Sequence, residues 1–172
     1  VCSLPDGRVA SGSSDRSIKI WSLDNVIRCD ITFREHTNIV RSLCVDNNGW
    51  LISGSYDSEI RVWDIITGAC LRVMRGHTDM VFTIDVLKSG RVVSGSYDRA
   101  IKVWDTTSGT CEATLGGFGQ SSVYSICSLR GGGFASAHGN GDNRIRIGCP
   151  PALLLLLRTM EMKALLLSVS KS

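Results

Sequence analysis

The feature that most constrains this chain is an internal repeat with a period of about 41 residues. Trp21, Trp63 and Trp104 lie 42 and 41 residues apart, and His36 and His77 lie 41 apart. Four segments align around these landmarks: SGSSDRSIKIWSL (11–23), SGSYDSEIRVWDI (53–65), SGSYDRAIKVWDT (94–106) and SAHGNGDNRIRIGC (136–149). A period of this length indicates one copied structural unit, whose copies must stack to bury a continuous core.

Each copy carries the local signals of strands and tight turns. The run from Ile60 to Trp63 alternates with a period of two, and turn residues such as Asn47-Asn48-Gly49 separate such runs. The second copy predicts four strands, near 39–45, 50–55, 59–64 and 69–75. Residues 1–148 show no helical period, so the predicted fold class is all-β.

Several landmarks recur in phase: Gly76-His77, Trp63-Asp64 and Trp104-Asp105. With a period near 41 and four strands a copy, residues 1–148 resemble the WD40 family of β-propellers. The resemblance implies a partial propeller of radial, four-stranded antiparallel blades. The approximate repeat boundaries are 1–35, 36–76, 77–118 and 119–148.

Ser, His and Asp recur together, as they would in the catalytic triad of a hydrolase. The set repeats at the blade period, whereas a nucleophile needs one copy in a cleft. The resemblance implies a structural network instead, in which Asp orients His, His bonds Ser, and Ser reaches the Trp indole. The residues concerned are His36, Ser53, Asp57 and Trp63; His77, Ser94, Asp98 and Trp104; and, in the first repeat, Ser11, Asp15 and Trp21. We therefore expect no catalytic residue and no enzyme.

The fourth repeat departs from the pattern. It has Gly119 near the His position, Gly148 in place of Trp, and two extra residues between Ser136 and Asp142. Its His138 falls in that insertion, which predicts a solvent-exposed loop residue.

The cysteines follow the repeat. Cys29, Cys70 and Cys111 share one repeat position, Cys2, Cys44 and Cys127 share another, and Cys149 has no equivalent. Equivalent positions on stacked sheets lie about 10 Å apart, beyond the Cα limit of about 7 Å for a disulfide. We expect reduced thiols in a cytoplasmic or nuclear protein. The spacing fits no zinc motif, so neither a metal nor a cofactor is predicted.

The last 24 residues differ in composition from the rest. All 18 Gly lie before residue 149, and 8 of the 16 Leu lie after it. Charges at Arg158, Glu161 and Lys163 disfavour a membrane span. A helix within 149–172 is favoured by its residue types, but residues 153–158 also stand where a fourth strand would fall. A spliced or mispredicted segment is a further alternative.

Propellers close with about four to eight blades. Three full units and a damaged fourth would leave apolar blade faces open. We therefore expect a fragment of a longer propeller, or a chain that needs missing blades or a closing partner. A free-standing four-bladed ring is the alternative.

The function favoured by the resemblance is a non-catalytic scaffold that binds other proteins as a substrate- or partner-recognition module. The candidate binding residues are Arg16, Asn38, Tyr56, Ser58, Asp79, Tyr97 and Arg99, since the turns and loops of one face carry them. Tyr56 and Tyr97 share a repeat position and could instead only fill their turns. An RNA- or chromatin-associated subunit is an alternative, but a net charge of +3 argues against nucleic acid. An enzyme remains the third class. No small-molecule substrate and no membrane partner is predicted.

Overall fold

A computed structural model of the chain describes residues 1–24, 26–116, 121–139 and 145–148. Within those ranges every helix or strand is a β-strand, and there are fifteen of them. The all-β prediction is confirmed. Gly119, Asp142, Cys149 and the helix predicted within 149–172 lie outside the described residues.

The strands form four separate antiparallel sheets, each made of consecutive strands paired in chain order. We call these sheets blades 1 to 4. Blade 1 contains β1 (Cys2–Ser3), β2 (Val9–Gly12), β3 (Ile18–Ser22) and β4 (Arg28–Phe33); blade 2 contains β5 (Val40–Val45), β6 (Leu51–Ser55), β7 (Ile60–Trp63) and β8 (Cys70–Met74); blade 3 contains β9 (Val81–Val86), β10 (Val92–Ser96), β11 (Ile101–Asp105) and β12 (Thr110–Leu115); and blade 4 contains β13 (Ser122–Ser128), β14 (Phe134–Gly139) and β15 (Ile145–Gly148). The strands predicted for the second repeat agree with blade 2 to within one residue at each end.

Blade 2 buries both of its faces, because blades 1 and 3 lie on either side. In β7, Ile60 and Val62 join a core cluster with blade 3, whereas Trp63 joins the cluster shared with blade 1. All three side chains are buried. Arg61 alternates with the aliphatic pair, and its Cζ lies 6.0 Å from the centroid of the Trp63 ring. The period of two in this strand therefore supplies two apolar faces.

The blades approach closely where the second strand has glycine. A Cβ on Gly54 would lie 2.8 Å from Val81 Cγ1 and 3.1 Å from Ile84 Cγ2, in the next blade. A side-chain hydrogen bond crosses the same interface, since Ser42 Oγ accepts the Ile84 N–H at 3.1 Å. Thr83 Oγ1 accepts the Ile126 N–H at 3.1 Å one blade further on. The stack is thus held by polar contacts as well as by apolar packing.

The antiparallel order divides the connections between two faces of the stack. The upper face carries two kinds of connection. The turns between second and third strands are 13–17, 55–59 and 96–100, and the loops that lead into a first strand are 34–39 and 75–80. The lower face carries the turns between first and second strands, at 4–8, 46–50, 87–91 and 129–133. Every candidate binding residue named from the sequence lies on the upper face.

Blade 4 has Gly148 at the position where the other three blades have a tryptophan. The Phe134 ring occupies the space beside this glycine, and a Cβ on Gly148 would collide with it. Phe134 is fully buried, in the cluster shared with blade 3. In contrast, Ile145 and Ile147 are 77% and 76% exposed, although the equivalent Ile60 and Val62 are 0% exposed. The far side of blade 4 is therefore an apolar sheet face that no described residue covers.

Candidate functional site

The first constellation is a buried chain of hydrogen bonds in blade 2. His36 Nδ1 lies 2.7 Å from Asp57 Oδ2, and His36 Nε2 lies 2.7 Å from Ser53 Oγ. Ser53 Oγ also accepts the Trp63 indole N–H at 2.8 Å. An ionised carboxylate only accepts, so a neutral His36 ring donates from Nδ1 and accepts the Ser53 hydroxyl proton at Nε2. The chain joins the loop before β5 to β6, to β7 and to the turn between them.

Blade 3 repeats this arrangement almost atom for atom. His77 Nδ1 lies 2.8 Å from Asp98 Oδ2, and His77 Nε2 lies 2.7 Å from Ser94 Oγ. Ser94 Oγ accepts the Trp104 indole N–H at 2.8 Å. The equal geometry follows from equal registers, since Ser53 pairs with Arg61 in blade 2 and Ser94 with Lys102 in blade 3.

The carboxylates of these chains are strongly held. Burial alone would raise the pKa of Asp57, but the hydrogen bond from His36 and those from the Thr37 and Glu59 amides lower it to about 2. The same balance of burial against His77 and two backbone amides lowers the pKa of Asp98 to about 2. Both groups are ionised throughout the physiological range.

The geometry argues against nucleophilic chemistry at these serines. Ser53 and Ser94 are 0% exposed, so a substrate cannot reach either hydroxyl. Each hydroxyl is also occupied by an indole donor and a histidine ring nitrogen. A triad serine needs an accessible oxygen next to an oxyanion site. The arrangement instead ties two strands, the turn between them and a loop together.

Blade 1 contains part of the same chain. Ser11 Oγ accepts the Trp21 indole N–H at 2.8 Å, and Lys19 Nζ lies 5.6 Å from the centroid of that indole. Asp15 accepts bonds from the hydroxyl and the backbone amide of Ser17, and these bonds lower its pKa to about 2.

Blade 4 corrects one expectation. His138 is not on a solvent loop: it lies in β14, is buried, and its Nε2 is 2.9 Å from Ser136 Oγ. The residues that lengthen this repeat therefore follow the strand. In blade 4 the histidine that approaches the strand serine belongs to the strand itself. In blades 2 and 3 the equivalent serine is approached by a histidine of the preceding loop.

The second constellation is the set of candidate binding residues on the upper face. Arg16, Ser58 and Arg99 take the same left-handed turn position, with φ of 72°, 70° and 71°. Asn38 is exposed and its Oδ1 accepts the Ile39 N–H, whereas Asp79 is half-buried and its Oδ1 accepts the Met80 N–H. Tyr56 is half-buried and Tyr97 is exposed.

Sequence reasoning missed three residues that share one repeat position. Arg41, Phe82 and Tyr124 are each the extra residue of a bulge in the first strand of a blade, with no residue opposite them in the partner strand. Phe82 contacts Tyr56, Tyr97 and Tyr124, with ring centroids 5.3, 5.9 and 4.9 Å away. The spacing of Arg41, Phe82 and Tyr124, which are 41 and 42 residues apart, can be read from the sequence. The bulge that directs their side chains outward cannot.

The described residues contain no group of three or more His, Cys, Asp or Glu able to hold a metal ion. The six cysteines among them are free thiols. No described helix is long and apolar enough to cross a membrane.

Comparison with known proteins gives a consistent result. A family model described as "WD domain, G-beta repeat" matches residues 1–22, 27–64 and 68–105, more than half of the chain. Among solved structures, the WD40 β-propeller domain of Doa1 superposes with a TM-score of 0.73 and 31% identity, over 81% of this chain and 46% of that one.

Curated relatives match over short segments. F-box/WD repeat-containing protein 10 of Mus musculus is 40% identical over 68 residues, 39% of this chain and 7% of the relative. Mitochondrial division protein 1 of Schizosaccharomyces pombe is 30% identical over 91 residues, 41% of this chain and 14% of the relative. Nuclear distribution protein PAC1 of Saccharomyces cerevisiae is 34% identical over 79 residues, 37% of this chain and 16% of the relative. The chain therefore spans only a small part of each of these relatives.

Proposed function

The chain belongs to the WD40-repeat family of β-propellers, and from that premise we propose that it is a non-catalytic scaffold that binds other proteins through its upper face. Membership of the family supplies the fold, and a fold by itself does not select a function. The proposal therefore depends on what the upper face presents. The free thiols of the described cysteines suit the reducing environment of the cytoplasm or nucleus, where we propose that the protein resides.

One observation carries the proposal: the upper face repeats a rigid backbone frame and changes the side chains on it. The turns at 13–17, 55–59 and 96–100 share the left-handed residue, occupied by Arg16, Ser58 and Arg99. The position two residues earlier holds Ser14, Tyr56 and Tyr97. Beneath two of these turns the Asp–His–Ser–Trp chain fixes the backbone. A preorganised frame with variable Tyr and Arg side chains suits partner recognition, because little entropy is lost on binding.

The basic residues of the strands do not favour nucleic acid. Arg61 makes ion pairs with Glu35 and Glu59 at 2.9 and 2.8 Å, and Lys102 donates to Thr114 Oγ1 at 2.9 Å. Cations engaged in this way are not available to a phosphate backbone. We therefore do not propose an RNA- or chromatin-binding role.

The exposed side of blade 4 supports a second part of the proposal. Ile145 and Ile147 occupy positions that the next blade covers completely in blades 2 and 3. We infer that further blades, or a partner that closes the ring, cover this face. The scaffold would then work as part of a larger propeller.

The test compares partner capture by the full chain and two variants. Tyr56→Ser/Tyr97→Ser gives two turns the serine that blade 1 carries at that position, so the turns themselves are preserved. Lys88→Ala/Arg130→Ala alters two exposed residues of the lower face and serves as control. Proteins cross-linked to the wild-type chain in cell extract are quantified by mass spectrometry. The proposal expects their loss with the tyrosine variant and retention with the control. Equal retention by both variants would contradict it.

A further inference from the structure

Four aromatic side chains of the upper face form one continuous surface, which we call the aromatic rim: Tyr56, Phe82, Tyr97 and Tyr124. Phe82 lies at the centre. Its ring stacks on Tyr124 with an interplanar angle of 17° and meets Tyr56 and Tyr97 edge to face. Tyr97 and Tyr124 remain 39% and 43% exposed. Three blades thus contribute to one patch, which no single repeat could form.

The backbone holds this patch open towards solvent. Phe82 and Tyr124 are the extra residues of two bulges, and a bulge changes the direction in which a side chain points. Gly139 occupies in blade 4 the position of Tyr56 and Tyr97. A Cβ there would lie 2.6 Å from Tyr124 Cε2, so the absent side chain leaves room for the Tyr124 ring. The rings are therefore arranged before any ligand arrives.

The rim has a polar edge as well as an apolar one. Within the described residues, none of the three tyrosine hydroxyls has a protein hydrogen-bond partner. Rings can take an apolar side chain, while phenolic hydroxyls can donate to or accept from a peptide backbone. This combination fits an extended polypeptide better than a purely apolar ligand.

The repeat places a cation at one end of the rim, because Arg41 has beside Tyr56 the position that Phe82 has beside Tyr97. Arg41 has the bulge position of Phe82 one blade earlier, is exposed, and makes no ion pair with the described residues. Nearby acids on this face are already engaged: Asp57 by His36, Asp98 by His77, and Glu59 by Arg61 and Arg75. Asp79 is half-buried and caps the Met80 amide. The carboxylates of Asp57 and Asp98 are also buried, so Arg41 offers an exposed positive charge beside the rim.

We propose that the aromatic rim binds an extended segment of a partner protein that carries an acidic residue near a large apolar one. The apolar or aromatic side chain packs on Phe82 and Tyr124, and the Asp or Glu carboxylate pairs with Arg41. Neighbouring blades lie about 10 Å apart and an extended chain rises about 3.3 Å a residue, so the two side chains are separated by about three residues. This proposal rests on the proposed scaffold function and names the chemistry of its partner.

The probe is a phage-displayed library of random, unmodified 12-residue peptides, selected on the full chain. Enriched peptides are synthesised with a fluorophore, and their Kd is measured by fluorescence anisotropy. The proposal expects Asp or Glu two to four residues from Trp, Phe, Tyr or Leu. Arg41→Glu should weaken binding about tenfold or more, since it reverses one member of a close charge pair. Tyr124→Ser should weaken it about tenfold, since it removes a stacked ring.

Arg130→Glu is the matched control, because it reverses an exposed arginine of the lower face. It should change Kd by less than about twofold. Circular dichroism must show that all three variants keep the wild-type melting temperature. Enrichment of basic peptides, a failure to enrich any peptide, or equal Kd for wild type and Arg41→Glu would overturn the proposal. If the captured proteins nevertheless depend on Tyr56 and Tyr97, the scaffold function stands and only the partner's chemistry is wrong.

Discussion

At the scale of the residue, the Asp–His–Ser–Trp chain shows how buried polar groups are accommodated. Ser53 is fully buried between an indole donor and a histidine acceptor, so its hydroxyl is satisfied on both sides. Such a group costs free energy only when a partner is removed. The four hydrogen-bonded residues should therefore stabilise the blade as a unit, and their contribution should not be the sum of separate bonds.

His77→Ala should lower the free energy of unfolding by about 1–3 kcal/mol, because Asp98 and Ser94 would lose their shared partner in a buried site. A urea titration followed by tryptophan fluorescence measures the change. Thr78→Ala alters the exposed side chain next to it, keeps the backbone amide that Asp98 accepts, and should cost less than about 0.5 kcal/mol. Equal losses of unfolding free energy in the two variants would show that the His77 ring does not stabilise the blade.

Asp98 also makes stability depend on pH. Its pKa is about 2 in the folded chain against an ordinary value of 3.8. A lowered pKa contributes stability above the ordinary value, and that contribution is lost as the pH falls from about 4 to about 2. The melting temperature of the wild type should fall over this interval, and that of Asp98→Asn should fall less. Thr78→Ala, which keeps Asp98 and the backbone amide that it accepts, should keep the wild-type slope; an identical slope for Asp98→Asn would refute the assignment.

At the scale of the element, the second strands of blades 1 to 3 decide how closely each blade approaches the next. Their glycines, Gly12, Gly54 and Gly95, are a requirement of packing rather than of backbone conformation. Gly54 has no left-handed φ, yet two side chains of the next blade fill the place of its Cβ. A strand glycine at such a close approach has no substitute without moving a neighbour.

Gly54→Ala should destabilise the chain by about 1–3 kcal/mol through overpacking against Val81 and Ile84. Thermal unfolding measures the loss. Gly131→Ala is the control, because no atom lies within 4 Å of a Cβ at that position. Adding Val81→Ala to Gly54→Ala should restore part of the stability lost, relative to Val81→Ala alone. A purely additive double variant would mean that the contact does not limit the packing.

At the scale of the whole molecule, the blade that ends the described stack has an uncovered face. The equivalents of Ile145 and Ile147 lie inside inter-blade cores elsewhere in the chain. A flat apolar sheet face of this kind tends to associate with another surface. The full chain should therefore self-associate when studied without a partner.

Ile145→Ser/Ile147→Ser should reduce this self-association, because it makes the exposed face polar without touching a described core. Sedimentation velocity over a range of concentrations measures the effect. Val26→Ser/Ile27→Ser is the matched control, since these two apolar side chains are 74% and 71% exposed but lie outside the strands. A reduction of similar size in both variants would locate the association elsewhere.

Much of this architecture could be predicted from the chain itself. The alternation around Trp63 and the spacing of the turns predicted the strands of blade 2 to within a residue. His138 was misplaced because its insertion was assumed to interrupt the strand, whereas the strand continues to Gly139 and the extra residues follow it. A single sequence contains no signal that distinguishes these two outcomes.

What the sequence determined by itself was the repeated unit: its strands, its turns and the recurrence of His, Ser, Asp and Trp in phase. These depend on local alternation and on copies of one pattern. Only the tertiary structure decided which positions from different blades meet. Phe82 lies 26 residues from Tyr56 and 42 from Tyr124 in the chain, and stacking of blades with bulged first strands brings the three rings together. Contacts between copies depend on how closely the blades pack, and a repeat pattern does not encode that distance.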